Sequence, residues 1–136
     1  MKLVILESPY AADTPEGVAA NVEYARQALD DCLNRGEAPF ASHLLYTQVL
    51  DDTCPAERQQ GIEAGFAWRA KAECTVVYVD RGISKGMLYG IAHAFSIAEN
   101  DETTSVYLRS IAKTQEERDL ILEAAYAKIK EMAELF

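Results

Sequence analysis

The sequence has few cysteines and no long apolar run, and both features narrow the class of protein. Its three cysteines are an odd number, and two of them, Cys32 and Cys74, lie in apolar patterns typical of a core. This arrangement predicts reduced thiols rather than a disulfide framework. No apolar stretch approaches the roughly 18 to 20 residues that span a bilayer, and the opening MKLVILESPY turns polar too early for a secretory signal. We therefore predict a cytoplasmic protein without a membrane partner.

Basic residues are scarce as well: 13 Lys and Arg stand against 22 Asp and Glu, and the formal net charge is −9. This balance argues against a long nucleic acid as partner, because such binding neutralises phosphates with clustered Lys and Arg. A small anionic ligand needs only local help from helix N-termini and a few basic side chains, such as Arg58, Arg81, Lys85 or Arg109. The cysteines and histidines show no metal-ligand spacing, so we predict no metal site and no cofactor.

What the sequence does contain is a regular alternation of strand and helix patterns along its 136 residues. Apolar, β-branched runs predict strands at residues 2–6, 39–42, 74–79 and 104–110. Helical patterns begin at Thr14-Pro15, at residue 56, at Ser84 and at Thr114. The alternation predicts an α/β fold in one domain, residues 1–136. We expect a three-layer, flavodoxin- or Rossmann-like parallel sheet with about four strands in the order 2-1-3-4.

The buried faces of two helices follow from the spacing of their apolar residues. The helix after the third strand is expected to bury Met87, Ile91, Ala94, Phe95 and Ala98. The helix at residues 56–72 is expected to turn Ile62, Phe66 and Ala70 inward. Gly61 and Gly65 lie four residues apart in that helix, which indicates close packing against a neighbouring element of the same chain or of a partner.

The fold is organised around residues 73–94, ECTVVYVDRGISKGMLYGIAHA, which predict a buried strand, a sharp loop and the start of a helix. Ligands of open parallel sheets bind at the carboxyl ends of the strands, where helix N-termini offer free N–H groups. The predicted strand order brings the loops after strands one, two and three to one edge. A pocket there would combine Glu7, Ser8, Tyr10, His43, Asp80, Ser84 and Gly86.

Two short motifs, VILESPY and VVYVDRGISKGMLYGIAHA, resemble the nucleoside 2-deoxyribosyltransferase-like superfamily. That superfamily includes 2'-deoxynucleoside 5'-monophosphate N-glycosidases and small related domains of unknown function common in bacteriophage genomes. Its pattern has an aspartate after the strand, then a small or hydroxyl residue and a glycine that enter a helix, then a catalytic glutamate one turn later. Asp80, Ser84 and Gly86 match this pattern. The position of the glutamate falls on Gly90.

The resemblance implies a domain that binds a nucleoside, nucleotide or ribose-containing derivative, with cleavage or transfer at the N-glycosidic bond. Because glycine has no ionisable oxygen, two alternatives remain. Either the site binds without this chemistry, or another carboxylate replaces the glutamate, with Glu7 as the candidate and Asp80 as its acid–base partner. The predicted ligand-binding residues are Ser8, Tyr10, His43, Ser84, Gly86 and Gly90.

Each of these residues also has a purely structural interpretation, and two other functions stay open. Ser84 serves a helix as N-cap without any ligand, and His43 fits an ordinary, partly buried histidine. The alternative functions are a non-catalytic protein that sequesters a nucleotide-derived signal, of bacteriophage origin, and a structural or interaction domain. The resemblance further implies a homodimer or higher homo-oligomer, with Trp68 near the contact. A Gly90→Glu change is expected to remove a helix-interior glycine penalty of about 1 kcal/mol.

Overall fold

A computed structural model describes residues 1–100 and 105–133 of the chain. Within these ranges, four parallel strands pair in the order β2-β1-β3-β4. The strands are β1 (Lys2–Glu7), β2 (Glu37–Phe40), β3 (Cys74–Tyr78) and β4 (Ser105–Arg109). The flanking helices are α1 (Pro15–Asn34), α2 (Ser42–Leu45), α3 (Pro55–Arg69), α4 (Lys85–Asn100) and α5 (Gln115–Ala133), with a 3-10 turn at Tyr46–Gln48. The predicted α/β class, the parallel sheet and its strand order are confirmed.

Helices cover both faces of the sheet. Successive residues of a strand point to opposite sides, so each face has its own buried cluster. One face carries a buried cluster that includes Val4, Leu6, Val76 and Tyr78 of the strands and Tyr24, Ala28 and Cys32 of α1. The opposite face carries a second cluster of Val77, Val79, Ile83, Met87, Ile91 and Ala125. The near-continuous burial of β3 therefore reflects a central strand with helices on each side.

The helix starts and sharp turns follow local rules that the sequence displays. Thr14 caps α1 by accepting a hydrogen bond from the N–H of Gly17 at 3.0 Å, with Pro15 at the first helical position. Thr114 caps α5 in the same way, accepting from the N–H of Glu117 at 3.2 Å. The chain after α1 turns through Gly36, whose φ of +78° lies in the left-handed region that favours glycine.

Two predicted helix faces need correction. Phe95 is 44% exposed, because it lies eight positions after Met87 and so falls at the edge of the stripe that Met87, Ile91 and Ala94 define. Ala70 lies one residue beyond α3 and is exposed, whereas Arg69 is buried at 2% exposure. The inward face of α3 therefore ends on a charged residue, and this residue contributes to the site described below.

The remaining differences concern element boundaries. The second strand begins two residues before the predicted range. The polar run Asn100-Asp101-Glu102 predicts a loop, but Asn100 belongs to α4. Asp101 and Glu102, the predicted strand start at Thr104 and Phe136, which the apolar spacing of the last helix includes, lie outside the described residues. None of the helices in the described part of the chain has the length and hydrophobicity needed to cross a membrane.

Candidate functional site

A pocket of about 410 Å³ opens at the carboxyl edge of the sheet, between the end of β1 and the helices α2, α3 and α4. This volume lies within the range of roughly 300 to 1,000 Å³ typical of small-molecule sites. Seven of the eight predicted site residues lie in its wall: Glu7, Ser8, Tyr10, His43, Ser84, Gly86 and Gly90. The eighth, Asp80, does not.

The floor of the pocket is built around an ion pair between Glu7, the last residue of β1, and Arg69, the last residue of α3. Nη1 of Arg69 also donates to the carbonyl oxygen of Gly90 at 2.7 Å and lies 3.1 Å from Nδ1 of His93. The ring of His93 stacks on Phe66 with 3.9 Å between centroids. Arg69 thus ties β1, α3 and α4 together beneath the pocket.

Burial raises the pKa of the Glu7 carboxyl, and the neighbouring positive charge of Arg69 opposes this rise. Burial and the same guanidinium lower the pKa of His93, so its ring is neutral near pH 7. In the residues that the structure describes, Nε of Arg69 is buried without a hydrogen-bond partner.

Gly90 faces the pocket, and the Glu7 carboxylate lies directly against it. A Cβ atom built on Gly90 would be 2.5 Å from Cδ and 2.6 Å from Oε2 of Glu7, closer than real Cβ contacts come. The absence of a side chain at position 90 therefore makes room for the carboxylate that β1 supplies. The expectation that a glutamate at Gly90 would only remove a helix penalty leaves out this contact, because any side chain there requires the Glu7 carboxylate to move.

A second polar pair lies beside the first. The Ser8 hydroxyl and Nε2 of His43 form a hydrogen bond of 2.7 Å, which joins the loop after β1 to α2. Burial lowers the pKa of His43 to about 4, so the ring is neutral at physiological pH. Close packing fixes α2 in place, because a Cβ on Gly65 would lie 2.8 Å from Oγ of Ser42. The close packing predicted at Gly65 of α3 is therefore packing against α2 of the same chain.

The N-terminus of α4 forms the opposite wall. Ser84 caps this helix, its Oγ accepting a hydrogen bond from the N–H of Met87 at 3.2 Å. Lys85 and Gly86 follow in the wall, and a Cβ on Gly86 would lie 3.3 Å from Nη2 of Arg58. Arg58 in turn lies 3.5 Å from the carboxylate of Asp52. This side combines the positive end of the α4 dipole with two cationic side chains.

The outer wall carries two tyrosines. The loop of Tyr10 is held by Asn21 of α1, whose Nδ2 donates to the Tyr10 carbonyl at 2.9 Å, and Nε of Arg81 donates to Oδ1 of Asn21 at 2.9 Å. Tyr89 of α4 is 56% exposed and also lines the pocket. Aromatic rings at the wall of a pocket suit the stacking of a planar group.

Asp80 does not join this site, although it follows β3 as predicted. Its carboxylate accepts hydrogen bonds from the Tyr24 hydroxyl at 2.5 Å, from the Ser110 hydroxyl at 2.5 Å and from the N–H of Ile111 at 3.1 Å. These partners lie on the α1 side of the sheet and after β4. Burial and the hydrogen bond to Asp80 raise the pKa of Tyr24. The structure therefore places Asp80 in the framework that joins β3, β4 and α1.

Sequence reasoning missed Arg69 and Tyr89 as parts of this pocket, and it named Arg58 only as one of the basic side chains available to an anionic ligand. A signal for Arg69 was available, since it lies three residues after Phe66 and seven after Ile62, on the buried face of α3. Charged residues are almost never buried without a partner, so a charge at that helical position marks a site. In residues 1–100 and 105–133, no three His, Cys, Asp or Glu side chains gather in a way that could hold a metal ion.

Comparison with protein families gives one result for residues 2–103, which include every wall residue of the pocket. They match the model of a family described as a domain of unknown function (DUF7768). The chain belongs to this family. The match covers β1 to α4 and ends at residue 103, before β4 and α5. Searches of curated proteins and of solved structures give no match.

Proposed function

We propose that the pocket binds a nucleoside, nucleotide or related ribose derivative and cleaves or transfers at its N-glycosidic bond, with Glu7 as the reacting carboxylate. The observation that carries the proposal is the contact between Glu7 and Gly90. The resemblance assigns a catalytic glutamate to position 90, and here a carboxylate reaches the same place from β1. In this proposal, a carboxylate of β1 takes the role that the family pattern gives to a glutamate of the helix.

The chemistry requires an ionised oxygen close to the anomeric carbon of the sugar. In the proposed reaction, a carboxylate oxygen of Glu7 forms a bond to C1' while the bond from C1' to the base breaks. The base departs with that electron pair and takes up a proton from solvent. Water, or a second base in a transfer reaction, then displaces the Glu7 oxygen from C1' and regenerates the carboxylate.

The other wall residues suit the remaining parts of such a ligand. The Ser8–His43 pair offers a hydroxyl and a neutral imidazole, which exchange hydrogen bonds with sugar hydroxyls. The start of α4 with Lys85 and Arg58 supplies positive charge for a phosphate. The exposed ring of Tyr89 and the ring of Tyr10 provide flat surfaces against which a base can stack.

The test measures, by chromatography, the release of free base from a panel of nucleosides and nucleoside monophosphates. We expect release by the native protein and its loss in Glu7→Gln, while ligand affinity stays within about tenfold. Glu63→Gln is the matched control, because Glu63 is exposed on α3 outside the pocket wall. Equal loss in both variants would contradict a specific role for Glu7.

A second candidate is a protein that sequesters a nucleotide-derived signal without turnover. The ion pair with Arg69 favours it, since that contact occupies one oxygen of Glu7. A ligand present at 100 times its dissociation constant raises stability by about 2.7 kcal/mol, which a thermal shift detects. Stabilisation by nucleotides without any base release identifies this second function.

A further inference from the structure

We infer that Arg69 is a positioning residue that holds the Glu7 carboxylate against the backbone of α4 at Gly90. This inference rests on the proposed function for its chemical consequence, but its geometry stands alone. Arg69 is 2% exposed and uses one nitrogen for Glu7 and the other for the Gly90 carbonyl at 2.7 Å. Its two terminal nitrogens therefore bind the carboxylate and the stretch of backbone that the carboxylate touches.

A structural role alone does not account for these contacts. A buried ion pair contributes little to stability compared with apolar residues of similar volume, because both charges lose their hydration. Arg69 also keeps an unpaired Nε within the described part of the chain. What the arrangement does provide is a fixed carboxylate: Arg69 holds it from one side and Gly90 leaves space for it on the other.

The ionisation of Glu7 depends on this contact more than on any other charge nearby. The other charged or histidine side chains around the pocket are Arg58 and Glu57 of α3, Asp52 before that helix, Lys85 and His93 of α4, and His43 of α2. The pocket wall also contains the tyrosines Tyr10, Tyr46 and Tyr89. Arg58 pairs with Asp52, and both histidines are neutral because burial lowers their pKa values. Arg69 is the cation in direct contact with the carboxylate.

The experiment follows the Glu7 carboxyl by 13C NMR in protein labelled at glutamate Cδ, with the resonance assigned by Glu7→Gln. In Arg69→Gln we expect the pKa of Glu7 to rise by about one unit or more, a tenfold change in its ionisation constant. Arg69→Lys keeps the charge and is expected to restore part of the shift. Arg58→Gln, the matched control in the same pocket, is expected to leave the titration of Glu7 unchanged.

A smaller shift in Arg69→Gln, or an equal shift in Arg58→Gln, would overturn the inference. Should Arg69→Gln fail to fold, Arg69→Lys provides the test. A lysine cannot bind the Glu7 carboxylate and the Gly90 carbonyl with two forked nitrogens, so a Glu7 titration curve identical to that of the native protein would also overturn the inference. Base release adds a second measurement, in which we expect Arg69→Lys to lower kcat at least tenfold with KM within threefold. If no ligand binds at all, the proposed function fails, while the NMR titration still tests Arg69.

Discussion

Alanine at Gly90 is expected to destabilise the protein, against the usual rule for helices. Replacing a helix-interior glycine by alanine normally gains about 1 kcal/mol. Here the new Cβ would lie 2.5 Å from Cδ of Glu7, so the carboxylate must move and its contact with Arg69 weakens. Overpacking costs about 1 to 3 kcal/mol, and breaking a buried pair costs about 3 to 5 kcal/mol when it is complete. With partial loss of the pair, we expect a net loss of about 2 kcal/mol.

Urea unfolding of a double-mutant cycle measures this effect. In a Glu7→Ala background the space beside Gly90 is empty, so Gly90→Ala should then stabilise by up to about 1 kcal/mol. The expected coupling energy between the two positions is about 3 kcal/mol. Gly86→Ala is the matched control on α4, because its Cβ would meet only the flexible end of Arg58 at 3.3 Å. Equal effects of Gly90→Ala in both backgrounds would refute the close contact.

Three further predictions concern pH, framework and assembly. The pKa of His43 is lowered from 6.5 to about 4, so between pH 4 and pH 6.5 the folded state binds fewer protons than the unfolded state. The protein therefore loses up to about 3 kcal/mol of stability as the pH falls from 6.5 to about 4. His43→Gln should flatten that part of the stability curve, and an unchanged slope would contradict the assignment. Asp80→Ala should lower the free energy of unfolding by about 2 to 4 kcal/mol, since it strands the bonded groups of Tyr24 and Ser110, and ligand affinity should change less than tenfold. Trp68 is 52% exposed beside Phe40, so we expect a dimer at micromolar concentration by light scattering, weakened by Trp68→Ala; a monomeric native protein would contradict this.

The fold was predictable because local signals agree with one another along the chain. Apolar runs that end at polar or glycine-containing turns predicted the strands, and the caps Thr14 and Thr114 predicted two helix starts. Parallel strands collect their carboxyl ends at one edge, so the loops that form the pocket also followed from the order of the elements. The pocket wall contains residues that follow each of the first three strands, although those after β2 belong to the short helix α2.

The contacts within the site were harder to predict, since they depend on how elements pack. Glu7 pairs in register with Val77, so it shares the face of Val77 and Val79, whereas Asp80 continues the row of Tyr78 toward α1. Glu7 ends β1 and Asp80 lies two residues beyond β3, and the register of β1 against β3 puts the two carboxylates on opposite faces of the sheet. The contact between Glu7 and Gly90 depends on how closely β1 and α4 pack, and the spacing of residues along the chain does not predict that distance.

Base release by the native protein and by Glu7→Gln, measured on the same nucleoside monophosphates, tests the role of Glu7 most directly. We expect the native protein to release base and Glu7→Gln to bind the same ligand within tenfold while releasing base at least about a thousandfold more slowly, or 4 kcal/mol in the barrier. Release at equal rates by both proteins, or no release by the native protein, would contradict the proposal that Glu7 is the reacting carboxylate.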